Sequence, residues 1–390
     1  MDKTIAILGT RGIPASHGGF ETFAERLALY LVERGWRVTV YCQGLEGDEI
    51  RYEDVWKGVH RIVIPVRRQG ALGTMEFDWQ CVRDAAQRKP DLTLTLGYNT
   101  AVFCLWLRLM GVTNLINMDG LEWHRQKWRF HERAWLWANE RIGCWVGNHL
   151  IADHPAIADH LATRVTRSKI TMIPYGGDRV DDSDEATLER YGIRSDNYGI
   201  VIARPEPENS ILEIVQAFSK QRRNAKLVVL GTFNSDRNSY HQEVVSAASE
   251  EVLFVGPIYE RSTLNALRQH ARFYLHGHRV GGTNPSLVEA LGAGNAVIAH
   301  DNVFNRWVAG AHARFFDTVS KCEEHMSALF GNDEEIASMR AATVAQFESG
   351  FQWERVLGAY EALFHRQMEV GARPGVRATA PSESVDGRLR

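Results

Sequence analysis

Residues 276–302, HGHRVGGTNPSLVEALGAGNAVIAHDN, limit the fold more than any other stretch of the chain. They follow an apolar run at Phe273, Tyr274 and Leu275, cross a Gly-Gly-Thr-Asn-Pro turn and enter an amphipathic helix at Ser286. That helix stops at Gly292 and Gly294, and a β-rich run at Ala296, Val297 and Ile298 follows. Strand, glycine loop, helix, strand is a geometry that sets backbone N–H groups against an anion, often a phosphate. Gly282, Thr283 and Asn284 are the candidate contacts. Glu289, one turn inside the helix, is better suited to gripping the hydroxyls of a vicinal diol such as ribose. The bland alternative is a solvated surface glutamate, the usual fate of a helical acid.

The same alternation runs through the whole sequence. Strands are expected at 4–8, 37–41, 61–65, 92–96, 113–117 and 149–152, with helical patterns such as 21–34 between most of them. After Ile173-Pro174-Tyr175-Gly176-Gly177-Asp178 and an acidic stretch, read as a linker, the pattern restarts. Strands follow at 199–203, 227–230, 252–255 and 273–275, with a helix at 211–219 and a last one at 353–368. Such alternation predicts an α/β protein of two Rossmann-like, doubly wound parallel sheets, as 390 residues would suggest. The expected division is 1–175, then 176–350, a closing helix at 351–370 and a disordered tail at 371–390. Residues 372–390 are too poor in apolar groups to offset chain entropy.

Composition excludes several classes. A net charge of -3 gives no reason to expect nucleic acid as a partner. Five scattered cysteines without a C-x-x-C pair suggest neither zinc nor disulfides, and a cytoplasmic setting fits best. The first ten residues are too briefly apolar for a signal peptide.

Three further segments carry chemistry. Residues 9–21, GTRGIPASHGGFE, follow the first strand but lack the G-x-G-x-x-G dinucleotide fingerprint. Gly18 and Gly19 before the helix leave its N–H groups open to a phosphate, and Arg11 and His17 share the loop. A plain strand-to-helix turn is the alternative. Residues 204–209, RPEPEN, place Arg204 at a strand end, where it can pair with a diphosphate or merely with Glu206 or Glu208. Residues 117–125, NMDGLEWHR, offer Asp119 as a group that orients a hydroxyl, stabilises developing positive charge or caps the next helix. Glu122 and His124 are candidates for acceptor contact. Residues 121–150 also hold Trp123, Trp128, Trp135, Trp137 and Trp145, interleaved with arginine and lysine. This predicts either peripheral contact with an anionic membrane or core aromatics under a solvated basic face.

Together, GTRGIPASHGGFETFAERLA, the Arg204 turn, HGHRVGGTNPSLVEALGAG and FQWERVLGAYEALF resemble the retaining GT-B glycosyltransferases of family GT4. The likeness is to a rhamnosyltransferase-like subgroup and extends to about Gln367. It implies two domains clamping a nucleoside diphosphate-sugar, with the closing helix returning to the first domain. Gly18 and Gly19 would face the diphosphate, Arg204 would pair with it, and Glu289 would bind ribose as the second acid of an E-x7-E motif. Two positions depart from the pattern. Gly281 stands where the first glutamate belongs, and Asn209 stands for a phosphate-neutralising lysine, with Arg279 as the candidate substitute.

The resemblance further implies transfer of a hexose with retention of anomeric configuration and no metal or other cofactor. It favours dTDP-L-rhamnose as donor, and a saccharide acceptor, lipid-linked, in surface polysaccharide synthesis. Rival readings are a GT-B sugar-nucleotide epimerase or hydrolase, an NAD-binding Rossmann protein, and an inactive subunit of a polysaccharide complex.

Overall fold

The computed structural model describes residues 3–16, 18–44, 50–68, 70–125 and 127–371. His17 and residues 372–390 of the expected tail lie outside them, while Gly371 ends the last helix. The first sheet contains β1 (Thr4–Leu8), β2 (Arg37–Gln43), β3 (Tyr52–Trp56), β4 (Val59–Ile64), β5 (Leu92–Leu96), β6 (Asn114–Asn117), β7 (His149–Ala152) and β8 (Ile170–Met172). Their order is β3-β4-β2-β1-β5-β6-β7-β8, parallel except for the antiparallel β3–β4 pair. Helices α1 (Gly19–Glu33), α2 (Gly70–Arg88), α3 (Cys104–Leu109), α4 (Phe130–Val146) and α5 (Pro155–Ala162) connect them.

The second sheet contains β9 (Tyr198–Ile202), β10 (Lys226–Leu230), β11 (Val252–Gly256), β12 (Phe273–His276), β13 (Ala296–His300) and β14 (Arg314–Phe316). Its order is β11-β10-β9-β12-β13-β14, parallel throughout. Around it lie α6 (Ile211–Ser219), α7 (Ser239–Ser246), α8 (Arg261–Gln269), α9 (Pro285–Gly292), α10 (Val303–Ala309), α11 (Val319–Phe330) and α12 (Asp333–Gly350).

Successive strand residues point to opposite faces, and helices cover both. In β1, Ile5 and Ile7 pack with α1, whereas Ala6 and Leu8 join Phe77 of α2 and Leu136 of α4. The second sheet divides likewise: Val229 and Leu275 lie with α6 and α11, Val228 and Tyr274 with α9 and α10. The sequence reading missed β3, β8 and β14. YEDVW is a polar strand at a sheet edge, and ITM and RFF are too short to show a period.

The chain crosses between the domains twice. At the first crossing the Gly177 N–H donates to the Phe351 carbonyl (2.7 Å). At the second the Trp353 N–H donates to the Gly177 carbonyl (3.1 Å), so the two passages lie side by side. The expected return of the last helix, α13 (Trp353–Gly371), is present: Val356, Leu357, Tyr360, Leu363 and Phe364 are buried with Phe23 and Leu27 of α1. Burying each such side chain contributes about 1.5–3 kcal/mol, so this helix is part of the first domain's core.

Candidate active site

Each sheet changes its winding direction beside its first strand: β1 lies between β2 and β5, and β9 between β10 and β12. Loops leaving the carboxyl ends of such neighbours turn to opposite faces, and the crevice between them is where open α/β sheets bind ligands. The loops at residues 9–18 and 204–209 and that at 277–284 all leave strands at these points. Gly9, with φ of +79°, lies so close to the Leu96 carbonyl that no side chain could fit.

The N-termini of α1 and α9 meet across the domains. A Cβ on Gly19 would lie 3.0 Å from Cγ of Pro285, the first residue of α9. Gly18, with φ of +103°, caps α1 without a side-chain hydrogen bond. Asn284 caps α9, its Oδ1 accepting from the Ser286 N–H (3.0 Å) and hydroxyl (2.9 Å). The α1 end thus brings unsatisfied N–H groups, and both helix ends bring positive dipole ends, toward one space. Glu289 is half-buried and paired with the buried guanidinium of Arg268 on α8.

Across this space lies the loop after β6. Asp119 has φ of +50°, and its N–H donates to Asn117 Oδ1 (3.0 Å) while Asn117 Nδ2 donates to the Tyr360 hydroxyl (2.9 Å). The following turn is capped at Leu121 without a side-chain bond, so Asp119 is not its cap. Burial, then the charge of Glu122, pushes its carboxyl up to about 6. Gly120 touches the opposite loop, where a Cβ would lie 3.1 Å from the Gly281 carbonyl carbon.

The remaining candidates differ in their freedom. Arg204 is exposed and, among the described residues, has no ion-pair partner; the alternative pairing with Glu206 or Glu208 is not formed. Glu208 instead joins Arg125 across the domains (2.8 Å), and Arg125 also holds Glu122 (2.5 Å). Glu122 is therefore buried in an ion pair. Asn209 is buried, its Nδ2 donating to the Arg204 carbonyl (2.8 Å), which shapes the arginine's turn. Arg279 is not the substitute cation: its guanidinium is committed to Glu213 and to Ser210 Oγ (2.8 Å). Arg11 is exposed, its N–H directed to Glu21 (3.3 Å). His124 is exposed on Trp123, ring centroids 4.0 Å apart, with His160 and Arg133 nearby.

Thr283 is buried and already engaged. Its N–H donates to Asp153 Oδ2 (2.9 Å), and its hydroxyl donates to the Asp153 carbonyl. Asp153 Oδ1 is buried without a partner, and burial followed by the charge of Asp119 pushes this carboxyl up to about 7. A side chain on Gly282 would collide with it. Sequence reasoning missed Asp153 and also His278, whose imidazole is pulled down to about 3 by burial and the charges of Arg125 and Arg204. The one signal for Asp153 was its place at a strand's carboxyl end. The arrangement can hold a diphosphate between two helix ends and Arg204, a diol at Glu289, and a sugar ring near Asp119.

Residues 2–178 match a protein-family model described as "Domain of unknown function (DUF1972)". No curated protein matches the chain. Sucrose-phosphate synthase of Thermosynechococcus elongatus superposes with a TM-score of 0.80 at 15% identity, over 94% of this chain and 100% of that one. HepE of Anabaena, solved with UDP and glucose, gives 0.73 at 12% identity, over 94% and 100%. The UDP-forming alpha,alpha-trehalose-phosphate synthase of Burkholderia vietnamiensis gives 0.71 at 10%, over the same shares. The likeness is one of fold, and the fold is GT-B.

Proposed function

We propose that the chain is a glycosyltransferase that moves a hexose from a nucleoside diphosphate-sugar to a saccharide, with retention. The observation that carries this reading is the meeting of the α1 and α9 N-termini, with exposed Arg204 in the turn whose Asn209 carbonyl lies against Gly277 of the loop entering α9. HepE, of the same fold, binds UDP and glucose, which supports a nucleotide-sugar donor. In the proposed reaction the bond from the anomeric carbon to the diphosphate oxygen breaks while the acceptor oxygen attacks on the same face. The departing phosphate oxygen takes the acceptor's proton, so no dedicated base is needed. Arg204 and the N–H groups at Gly18, Gly19 and Asn284 stabilise the leaving diphosphate; such preorganised electrostatics is usually the largest catalytic term. Thr283 joins them once its N–H is released from Asp153. Asp119 stabilises positive charge at the anomeric carbon, and Glu289, held by Arg268, binds ribose. With charge supplied this way the scheme needs no metal.

The donor we favour is dTDP-L-rhamnose, and the acceptor a lipid-linked saccharide of a surface polysaccharide, met at the cytoplasmic face of the membrane. A thermal-shift screen of dTDP-, UDP- and GDP-sugars tests the reading. One should raise Tm, and Arg204→Ala should abolish that shift without changing the Tm of the free protein. A shift with none of them sinks the transferase reading.

A further inference from the structure

The five tryptophans at residues 121–150 divide into two groups. Trp123 and Trp128 pack against the first domain's core, and Trp123 Nε1 donates to buried Glu140 (2.6 Å). Trp135, Trp137 and Trp145 remain 40%, 45% and 60% exposed. Trp137, Arg141 and Trp145 follow at spacings of four, so they form one line along α4. The exposed aromatic surface continues onto neighbouring helices. Arg108 of α3 lies over the Trp145 ring (5.7 Å) and donates to the Trp145 carbonyl (3.2 Å). Trp106 and Leu109 of α3 are exposed, and Trp106 meets exposed Trp79 of α2 with ring centroids 6.3 Å apart. Three neighbouring helices thus each expose tryptophan, α3 meeting α4 through Arg108 and α2 through Trp106. Isolated exposed apolar side chains need no explanation, but a contiguous patch marks an interaction site.

Charge identifies the occupant. Arg141 lies over the Trp137 ring (3.5 Å), and Arg141, Arg164 and Lys169 line a cavity of about 350 Å³ beside Trp145. Of these cations Arg164 is paired with buried Glu140 (2.7 Å), which leaves Arg141 and Lys169, and Glu132 of α4 accepts the Arg129 N–H (2.8 Å). Tryptophan suits a boundary that is apolar on one side and wet on the other, and cations beside it suit anionic headgroups. The chain's own residues 372–390 carry four arginines against one glutamate and one aspartate, so their charge disfavours them as the cover. A second copy would set one cationic face against another.

We infer that this face, formed by α2, α3 and α4, docks the protein on an anionic phospholipid bilayer. Trp137 and Trp145 enter the headgroup boundary, and the cavity beside them receives a lipid phosphate on Arg141 and Lys169. Docking does not depend on sugar transfer, because the face is built without any residue of the cleft.

The test is co-sedimentation of the full chain, without donor, with vesicles of phosphatidylcholine alone or with about 30% phosphatidylglycerol. Binding is expected with the anionic vesicles and to weaken in high salt. Trp137→Ala with Trp145→Ala, and separately Arg141→Glu, should each lower partition by about tenfold or more, with the Tm of the protein unchanged. Equal binding to both vesicles, or none to either, overturns the proposal. So does a stable dimer in sedimentation velocity that Trp137→Asp dissociates, which would assign the face to a second copy. The donor-induced shift in Tm should persist in these variants, so failure of docking and failure of the transferase reading are separately visible.

Discussion

Asp119 and Asp153 sit on neighbouring loops of the first domain, and both carboxyls are raised, to about 6 and about 7. A carboxyl that binds its proton more tightly in the folded state weighs against the fold once ionised, and not when protonated in both states. Their contribution to stability therefore declines as pH rises from about 4, the ordinary value, through about 7. Asp153→Asn keeps an acceptor for the Thr283 N–H and removes the charge. The variant should melt above the parent at pH 8, with the gap closing toward pH 4 in a series of thermal melts. Asp119 differs because the proposed mechanism uses its ionised form. Parental turnover should decline as pH falls below about 6, and Asp119→Asn should lower kcat on the order of a hundredfold and lose that acid limb. A variant with parental kcat would remove Asp119 from the chemistry.

At the scale of elements, the approach of α1 and α9 leaves little room for a larger residue. Gly19→Val would drive a branched side chain against Pro285, and overpacking of this kind costs about 1–3 kcal/mol. Nucleoside diphosphate affinity, measured by calorimetry, should fall at least tenfold while the circular dichroism spectrum stays parental. Unchanged affinity would place the diphosphate elsewhere. Elements of this kind were legible in the sequence where one residue pattern decides them. β5 and β7 bury every residue and read as short strands rich in leucine, isoleucine and β-branched threonine, and α6 carries a clear apolar face. β3 was not legible, because pairing with β4 and the Asp54–Arg61 ion pair hold a polar segment in place. Of the candidate site, the glycines, Arg204 and Glu289 could be named from local sequence pattern alone. Arg125 and Asp153 escaped because their partners, Glu208 and Thr283, lie 83 and 130 residues away.

At the scale of the whole molecule, the Arg125–Glu208 pair and the Asp153–Thr283 contacts hold the domains together over the cleft. Removing one partner of a buried ion pair costs about 3–5 kcal/mol, less here because Arg125 retains Glu122. Glu208→Gln should lower Tm and enlarge the radius of gyration in small-angle scattering; an unaltered profile and Tm would show that the pair does not hold the halves. The two crossings near Gly177 and Phe351 limit what such opening can be. Adjacent, hydrogen-bonded passages act like the spine of a book, permitting rotation about one line and resisting twist. They also make the halves inseparable by a single cut. The region that matches the family model ends at Asp178, yet a fragment ending there would lack residues 353–371 and leave Phe23 and Leu27 bare. The inherited unit and the foldable unit therefore have different boundaries, and the second is completed only when the last helix is made.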